Sequence, residues 1–373
     1  MNKLPFAFLF ILTYLFYIIT PLHAQTPPPH KTEFYKTKVI KILEDGRKKI
    51  GKNENIFQIV ELQILEGPEK NTLLKLEHGG TFILTVEQKI APGDTVVLNK
   101  TIISGKPQYR IADTYRLINL FYVLVGFFVL VIVMAGRKGL GSFLGMGISI
   151  AVIVYFIIPQ ILNGANPLTI SLLGAIFIML STIYLAHGFS RQTSIAVAST
   201  CISLVFAILL SILLVKITRL SGLGSEDIYN LTQGFAGKIQ FQGLLLGGII
   251  IGTLGVLDDV TTTQTATVFN LADANPKFSV KDLFFRGMNI GREHIASLVN
   301  TLVLAYAGAS MGVFIYMNLA IKQQNQPLWV ILNSEVIMEE IIRSIAGSVS
   351  LIIAVPITTI LAAFFTKYSL KMR

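Results

Sequence analysis

The sequence predicts an all-α polytopic membrane bundle of about seven transmembrane helices, preceded by a small extracytoplasmic, β-barrel-like domain. Three observations lead to this fold class. Of the 373 residues, 53% are hydrophobic and only 14% are charged, whereas soluble proteins carry about 25% charged residues. The charges are clustered, since residues 25–116 hold 15 of the 31 Lys and Arg and 11 of the 21 Asp and Glu. The remainder consists mostly of apolar runs, so a soluble enzyme is excluded.

Residues 1–24 are typical of a targeting segment. Lys3 precedes an apolar stretch at residues 4–20, and residues 21–24 end in the small residue that a cleavage site needs. An uncleaved anchor is the alternative, because about seventeen apolar residues nearly suffice to cross a bilayer. Either a signal peptide or a signal anchor would deliver the next segment to the far side of the membrane.

Residues 25–116 predict a small β domain. Short runs of β-branched and aromatic residues alternate with turn residues, and Pro92 and Gly93 supply the turn that precedes the run at Thr95. Five or six strands in about ninety residues suit a small barrel, which leaves few exposed edges. The predicted strands are residues 37–43, 56–65, 72–76, 81–86, 95–103 and 108–112. A spacer module and a ligand-binding barrel both fit this pattern.

Residues 117–373 form the predicted transmembrane domain. Seven segments approach the roughly twenty apolar residues that a span requires: 117–135, 140–162, 168–186, 194–215, 241–262, 295–319 and 345–365. With the β domain outside, the cytoplasmic segments hold ten Lys and Arg and the external connections between spans hold five. This asymmetry follows the positive-inside rule. The predicted location is the cytoplasmic (inner) membrane, with residues 25–116 outside and the C-terminus inside.

Three connections between spans carry local signals. Ser279 and Asp282 fit a capping box for a helix that ends near Gly287, and Ser225 fits the cap of a short external helix. Before the last span, Glu335, Glu339 and Arg343 stand four residues apart, and Glu340 is three residues from Arg343. These spacings predict intrahelical ion pairs.

Glycines dominate the fifth predicted span. Successive members are separated by mostly three or four residues, which places them along one side of a helix: Gly243, Gly247, Gly248, Gly252 and Gly255. Such a strip lets a neighbouring helix approach closely, so we predict a packing role for it. Pro356 in the last span is likewise predicted to shape the packing, with Thr358 and Thr359 bonding to the backbone groups that it frees.

Packing alone does not require the two carboxylates that follow, Asp258 and Asp259. A carboxylate within a span costs at least about 2.5 kcal/mol and faces protein or a water-filled cavity. Asp259, Thr262 and Thr263 share one helical face, and such oxygen ligands can hold a cation or a proton. The alternative places the pair at the cytoplasmic interface, where water solvates it. In the sixth span, Ser297, Asn300 and Thr301 either bond to neighbouring helices or contact the same solute. These three residues are therefore also candidates for an ion path.

Several classes of function are excluded or unsupported. The single cysteine, Cys201, excludes a disulfide framework. The chain lacks the common serine-hydrolase, metalloprotease and P-loop motifs, so no enzyme, no cofactor and no metal site is predicted. The net charge of +10 is dispersed over loops, so nucleic acid is not an expected partner. The expected partners are the lipid bilayer and an ion or small solute, with a second copy of the chain or an envelope protein as further alternatives.

Seven strings in order resemble the YibE/F family of bacterial multi-pass membrane proteins. They are GRKG at 136–139, NGANP at 163–167, HGFSR at 187–191, GTLGVLDDV at 252–260, GREHIAS at 291–297, NTLVLAY at 300–306 and AVPITT at 354–359. The resemblance covers nearly everything after the β domain, and Asp259, Asn300, Thr301 and Pro356 fall on the family's pattern. The resemblance implies a carboxylate at Asp259 more strongly than at Asp258. It implies the fold and a membrane location but no biochemical activity.

The sequence as a whole favours a permease or transport component for an ion or small solute. Polar groups on the last three spans, centred on Asp259, Asn300 and Thr301, would line its route. The alternative is a non-transporting envelope protein whose external β domain binds a partner or a surface polymer.

Overall fold

The computed structural model describes residues 32–50, 53–80, 83–103, 105–235 and 237–371. The predicted targeting segment at residues 1–24 lies outside these ranges. Two compact units divide the described chain between Leu130 and Val131. A β unit precedes this division and a helical unit follows it.

The β unit is an antiparallel sheet with the strand order β3-β2-β1-β4-β5. Its strands are β1 Thr32–Ile50, β2 Asn53–Ile64, β3 Leu73–Gly79, β4 Thr95–Ile103 and β5 Lys106–Thr114. Alternate residues of β2, namely Val60, Leu62 and Ile64, are fully buried with Val96 and Leu98 of β4, as the two-residue period of a strand requires. Among the described residues no ladder joins β3 to β5. The sheet is open, so the predicted barrel is not confirmed.

The strand predicted at residues 81–86 is wrong in its described part. Residues 83–85 are irregular, and Val86–Gln88 forms one turn of 3-10 helix. A side chain holds this segment in place of a ladder, because the buried amide of Gln58 donates to the oxygen of Ile90 at 3.2 Å and accepts from its nitrogen at 2.9 Å. The turn that follows matches the prediction, since Gly93 has a φ of 96° and β4 begins at Thr95.

A charged cluster fastens the turn after β2 to the last two strands. Glu69 accepts hydrogen bonds from the ammonium of Lys100 on β4 and from the hydroxyl of Tyr109 on β5, the latter at 2.9 Å. The Lys100 bond, supported by the Tyr109 bond, lowers the pKa of Glu69 below its usual value of 4.5. Protonating Glu69 would therefore remove two links between the turn and the sheet.

We expect this cluster to make the β unit sensitive to acid. A lowered pKa in the folded state stabilises the fold above the usual carboxyl range, and this stabilisation disappears as the pH falls through the folded-state pKa. In the full-length chain, amide protection of residues 65–72, corrected for intrinsic exchange, should fall between pH 6 and pH 3. Glu69→Gln should show the low protection already at pH 7, and a pH dependence unchanged by that substitution would contradict the assignment.

The described residues after the sheet form nine helices. They are α1 Leu117–Leu162, α2 Pro167–His187, α3 Arg191–Thr218, α4 Glu226–Phe235, α5 Phe241–Ala274, α6 Val280–Ala309, α7 Met311–Gln324, α8 Leu328–Leu332 and α9 Glu335–Lys371. Ser225 caps α4 through the Ile228 nitrogen at 3.3 Å, as predicted. Five of the helices are long and apolar enough to cross a membrane, and the number is six if α6 and α7 form one span bent by 64°.

The count of seven spans stays a prediction. The prediction counts α1 as two membrane crossings. The backbone does leave the helical conformation within α1, at Gly136, with φ 58° and ψ −135°. A glycine tolerates this φ because it has no Cβ. The chain is therefore a membrane protein with several long apolar helices, and the break at Gly136 marks where α1 would divide into two.

Small residues make the core of the helical unit, where α3, α5 and α9 pack together. Ala196, Thr200 and Ala207 are buried along α3, and Ala346 and Ala354 along α9. Backbones approach closely where such residues meet, which replaces the hydrophobic effect as a packing force in lipid. Several of the buried hydroxyls bond to their own helix or across the interface: Thr200 lies 2.6 Å from Thr261 of α5, oxygen to oxygen.

Helix α6 begins as predicted but does not end near Gly287. The capping box is confirmed, because the Ser279 hydroxyl accepts from the Asp282 nitrogen at 3.1 Å and the Asp282 carboxylate accepts from the Ser279 nitrogen at 2.9 Å. The helix continues to Ala309. Gly287 is a contact rather than a stop signal, since a Cβ there would lie 2.9 Å from Cγ2 of Thr359 on α9.

Pro356 lies inside α9, and its ring removes one backbone donor. The two threonines that follow do not bond to the freed carbonyl of Ile352 in the described chain. Thr359 donates to the oxygen of Val355 at 2.6 Å, and the buried hydroxyl of Thr358 has no hydrogen-bond partner among the described residues. The expectation that both threonines would repair the backbone is therefore wrong.

Candidate functional site

The candidate site is centred on Asp258, near the middle of α5. Its carboxylate is partly buried and accepts a hydrogen bond from the hydroxyl of Thr182 on α2, with 3.0 Å between the oxygens. Thr262 donates its hydroxyl to the backbone oxygen of Asp258 at 2.8 Å. A carboxylate has about four acceptor positions, so this one retains capacity for a cation or a further donor.

Asp259 stands on an exposed face of α5. Thr263, one turn later, is exposed on the same face, as its spacing predicts. Thr262 differs, because its hydroxyl is used within the helix and also donates to the oxygen of Asp259 at 3.1 Å. The predicted set therefore separates into Asp258 and Thr262 toward the bundle and Asp259 and Thr263 on the exposed face.

The predicted glycine strip also separates into two faces. Gly243 and Gly247 lie against α2: a Cβ on Gly243 would be 3.4 Å from Cδ of Pro167, and one on Gly247 would be 2.9 Å from Cβ of Ser171. The other three glycines do not contact α2. We call them the glycine stripe: Gly248, Gly252 and Gly255.

Open space lies beside the glycine stripe. In the part of the chain that the structure describes, no atom lies within 4 Å of a Cβ built on Gly248 or Gly255, and one built on Gly252 would lie 3.7 Å from the hydroxyl of Tyr306 on α6. The three glycines and Asp259 fall on one face at helical spacings of four, three and four residues. With a rise of 1.5 Å per residue, this face runs roughly 16 Å from Gly248 to Asp259. All four residues are exposed; we call this backbone-floored face the groove, and it ends at the carboxylate of Asp259.

One imidazole lies near the carboxylate end of the groove. His187, the last residue of α2, is within electrostatic range of both Asp259 and Lys138. Among the described residues no three His, Cys, Asp or Glu side chains are grouped so as to hold a metal ion. A carboxylate and an imidazole within electrostatic range of each other can exchange a proton.

The predicted polar residues of α6 are not joined to these carboxylates. Ser297, Asn300 and Thr301 are exposed, and Thr301 donates to the oxygen of Ser297 in its own helix at 2.9 Å. In the described chain, no hydrogen bond links any of the three to Asp258 or Asp259.

Sequence reasoning missed Gln264, the polar residue that joins three helices. Its side chain is 1% exposed and its amide nitrogen donates to the oxygen of Gly287 on α6 at 2.9 Å and to the hydroxyl of Thr359 on α9 at 2.8 Å. A glutamine within an otherwise apolar span was the available signal, because a buried amide must find partners. It fixes α6 and α9 to α5.

The carboxylates at the start of α9 bond to a loop rather than to Arg343. Glu335 accepts from the hydroxyl of Ser221 and the nitrogen of Gly222, each at 2.8 Å, and Glu339 accepts from the nitrogen of Gly224 at 3.1 Å. Of the ion pairs predicted for this segment, only the one between Glu340 and Arg343 is found among the described residues, and its closest atoms are 3.8 Å apart. The four-residue spacing predicted the right face but the wrong partners.

Comparison with known proteins gives one finding. A family model described as YibE/F-like protein matches residues 123–368, which is more than half of the chain and covers all of the residues of the site. No curated protein and no solved structure gives a significant match.

Proposed function

Because this chain belongs to the YibE/F-like family of membrane proteins, we propose that it is a permease or transport component for an ion or small solute. The observation that carries the proposal is the groove along α5, where the glycine stripe leads to Asp259. The proposal assigns the chain no catalytic reaction and no resident cofactor.

The energetic cost of a carboxylate within a span supports this function. A carboxylate that faced lipid in mid-span would cost at least about 2.5 kcal/mol, so carboxylates in spans are found next to water, protein or a solute. If this face served only for helix packing, side chains would fill the space beside the glycine stripe. Its three positions are instead glycines, which have no side chain. A polar route of this kind gives an ion or small solute oxygen ligands at one end and backbone along its length.

The orientation is part of the proposal. The predicted cytoplasmic segments hold ten Lys and Arg, and the predicted external connections hold five. This asymmetry favours an orientation in which the carboxylate end of the groove lies at the cytoplasmic side. The β unit would then lie outside the inner membrane and the C-terminus in the cytoplasm.

Asp259→Asn is expected to abolish flux through the full-length chain in proteoliposomes. The amide keeps the size of the side chain but cannot carry the charge that attracts a cation or exchanges a proton. Proton flux is measured with a trapped pH-sensitive dye under an imposed membrane potential, and solute flux with radiolabelled sodium and radiolabelled alanine. Flux should fall to the level of empty liposomes.

Asp273→Asn is the matched control, since Asp273 is an exposed aspartate near the end of the same helix. It should transport as the wild type does. Equal flux through both variants would remove Asp259 from the route. If the wild type moves none of the three probes, the transport proposal fails for these classes.

The second candidate function is that of a non-transporting envelope protein. A cavity of about 270 Å³ in the β unit supports it, lined in part by His78, Asn99, Arg110, Asp113 and Arg116. These side chains offer both charges to a partner or a polymer. In this case deletion of residues 25–116 would remove the cellular function, whereas Asp259→Asn would leave it intact.

A further inference from the structure

A second charged site lies at the opposite end of the glycine stripe from Asp259. It is a cavity of about 160 Å³ between the start of α5, the start of α9 and the loop at residues 220–225. We call it the charged cavity, and the lining residues that matter here are Gly224, Gly248, Glu339, Glu340 and Arg343. Because Gly248 belongs to both, the charged cavity is continuous with the stripe.

Hydrogen bonds and two glycines hold the loop that covers the charged cavity against α5 and α9. Gln242 of α5 donates its amide to the oxygen of Leu220 at 2.7 Å, and Glu335 and Glu339 of α9 hold the following nitrogens. Gly222 has a φ of 84°, and a Cβ on Gly224 would lie 2.7 Å from Cδ of Glu339. Side chains at these two positions would force the loop away, so the cavity wall depends on both glycines.

Two of the side chains that line the charged cavity are short of partners. The side-chain nitrogen Nε of Arg343 is buried and has no hydrogen-bond partner among the described residues. Glu339 is only 9% exposed, and among the described residues the one hydrogen bond to its carboxylate comes from the nitrogen of Gly224. A buried donor without an acceptor costs about 1–3 kcal/mol, and a buried carboxylate requires several donors. A ligand that carries both charges would give the guanidinium an acceptor and the carboxylate a donor.

We propose that the charged cavity binds a small zwitterion carrying an ammonium and a carboxylate, in the manner of a short amino acid. The ligand carboxylate would accept from the guanidinium of Arg343, and the ligand ammonium would donate to Glu339 and Glu340. Both contacts are charge-assisted hydrogen bonds, which are about twice as strong as neutral ones. A cavity of about 160 Å³ has the volume of about five waters at roughly 30 Å³ each, which suits a solute between alanine and valine in size.

Simpler ligands match the charged cavity less well. A simple cation would satisfy the carboxylates but would meet the like charge of the Arg343 guanidinium. A simple anion would meet two carboxylates, Glu339 and Glu340, in a partly buried space, and like charges repel strongly there. Binding stands on these contacts alone, whereas the step that makes the bound zwitterion the transported solute rests on the proposed function.

Equilibrium dialysis of the purified full-length chain against radiolabelled alanine tests the site. Alanine should bind saturably, and ethylamine and propionate, which each carry one of its charges, should compete poorly. Arg343→Lys keeps the positive charge but removes Nε, and Glu339→Gln removes the carboxylate. Each should weaken alanine binding roughly ten- to hundredfold, as expected for one lost charge-assisted hydrogen bond.

Arg292→Lys is the control for the arginine change, because Arg292 is exposed on α6 and does not line the charged cavity. It should bind alanine as the wild type does. Glu340→Gln is the additional variant if Glu339→Gln fails to fold, and it should weaken binding in the same direction. A wild type that does not bind alanine overturns the proposal, and so does ethylamine binding as tightly as alanine with Arg343→Lys unaffected.

The outcomes for this site and for transport are separable. Alanine binding that depends on Arg343, without flux of any probe, would keep the site and remove the transport proposal. Flux of protons or sodium that depends on Asp259, without alanine binding, would keep transport and overturn the zwitterion site.

Discussion

Leucine in place of Gly255 is expected to abolish the flux carried by the wild-type chain while the protein still folds and inserts. Among the described residues no atom lies within 4 Å of a Cβ built on Gly255, so the first carbon of a leucine side chain meets no neighbour there. Leucine also favours a helix over glycine by roughly 0.5–1 kcal/mol. The substitution therefore places a bulky apolar side chain in the groove between Gly252 and Asp259.

The readout is the same proteoliposome assay, with thermal unfolding of the purified chain as the check on folding. Gly147→Leu is the matched control, since Gly147 is exposed on α1 and also has no atom within 4 Å of a built Cβ. Gly255→Ala adds only a methyl group and should reduce flux less than leucine does. Unchanged flux through Gly255→Leu, at unchanged stability, would show that the route does not follow the glycine stripe.

Leucine in place of Gly291 should have the largest effect on stability. A Cβ there would lie 2.5 Å from Cγ1 of Val355 on α9 and 3.1 Å from Nε2 of Gln264 on α5. The longer leucine side chain must push α6 away from both helices, and the bond from Gln264 to the oxygen of Gly287 would break with it. Overpacking of this kind costs about 1–3 kcal/mol, and an interhelical hydrogen bond in a membrane adds about 0.6 kcal/mol.

Gly308→Leu provides the comparison on the same helix, because a Cβ on Gly308 would have no atom within 4 Å. Reversible unfolding of the full-length chain in detergent should place Gly291→Leu well below the wild type and Gly308→Leu near it. Equal stability of the two variants would mean that α6 does not depend on its contact with α5 and α9.

The contrast between Gly255 and Gly291 shows how far sequence alone could go. Spacing identified the glycines of α5 and predicted a common packing role for them. The side from which a neighbour approaches is set by the other helices, and α2 covers Gly243 and Gly247 but not Gly255. The contact of Gly291 was not predicted, because it depends on which residues of α5 and α9 lie opposite it.

The polar contacts of the site follow the same logic. Asp258 and Asp259 were identified because carboxylates are costly in a span, but neighbouring positions on a helix differ by 100°. That rotation alone turns Asp258 toward Thr182 and leaves Asp259 on the exposed face. The partners of Glu335 and Glu339 lie more than a hundred residues away, so no local spacing could reveal them.

The sequence by itself determined the membrane class, the β unit, the capped starts of α4 and α6, and the family. Each of these follows from composition, from periodicity or from residues adjacent in the chain, which act wherever the segment is placed. The tertiary structure alone decided the open sheet, the division of the glycines into contact and groove, the role of Gln264 and the charged cavity. Those features exist only once helices distant in sequence have been brought together, because a contact between two surfaces is a property of neither surface alone.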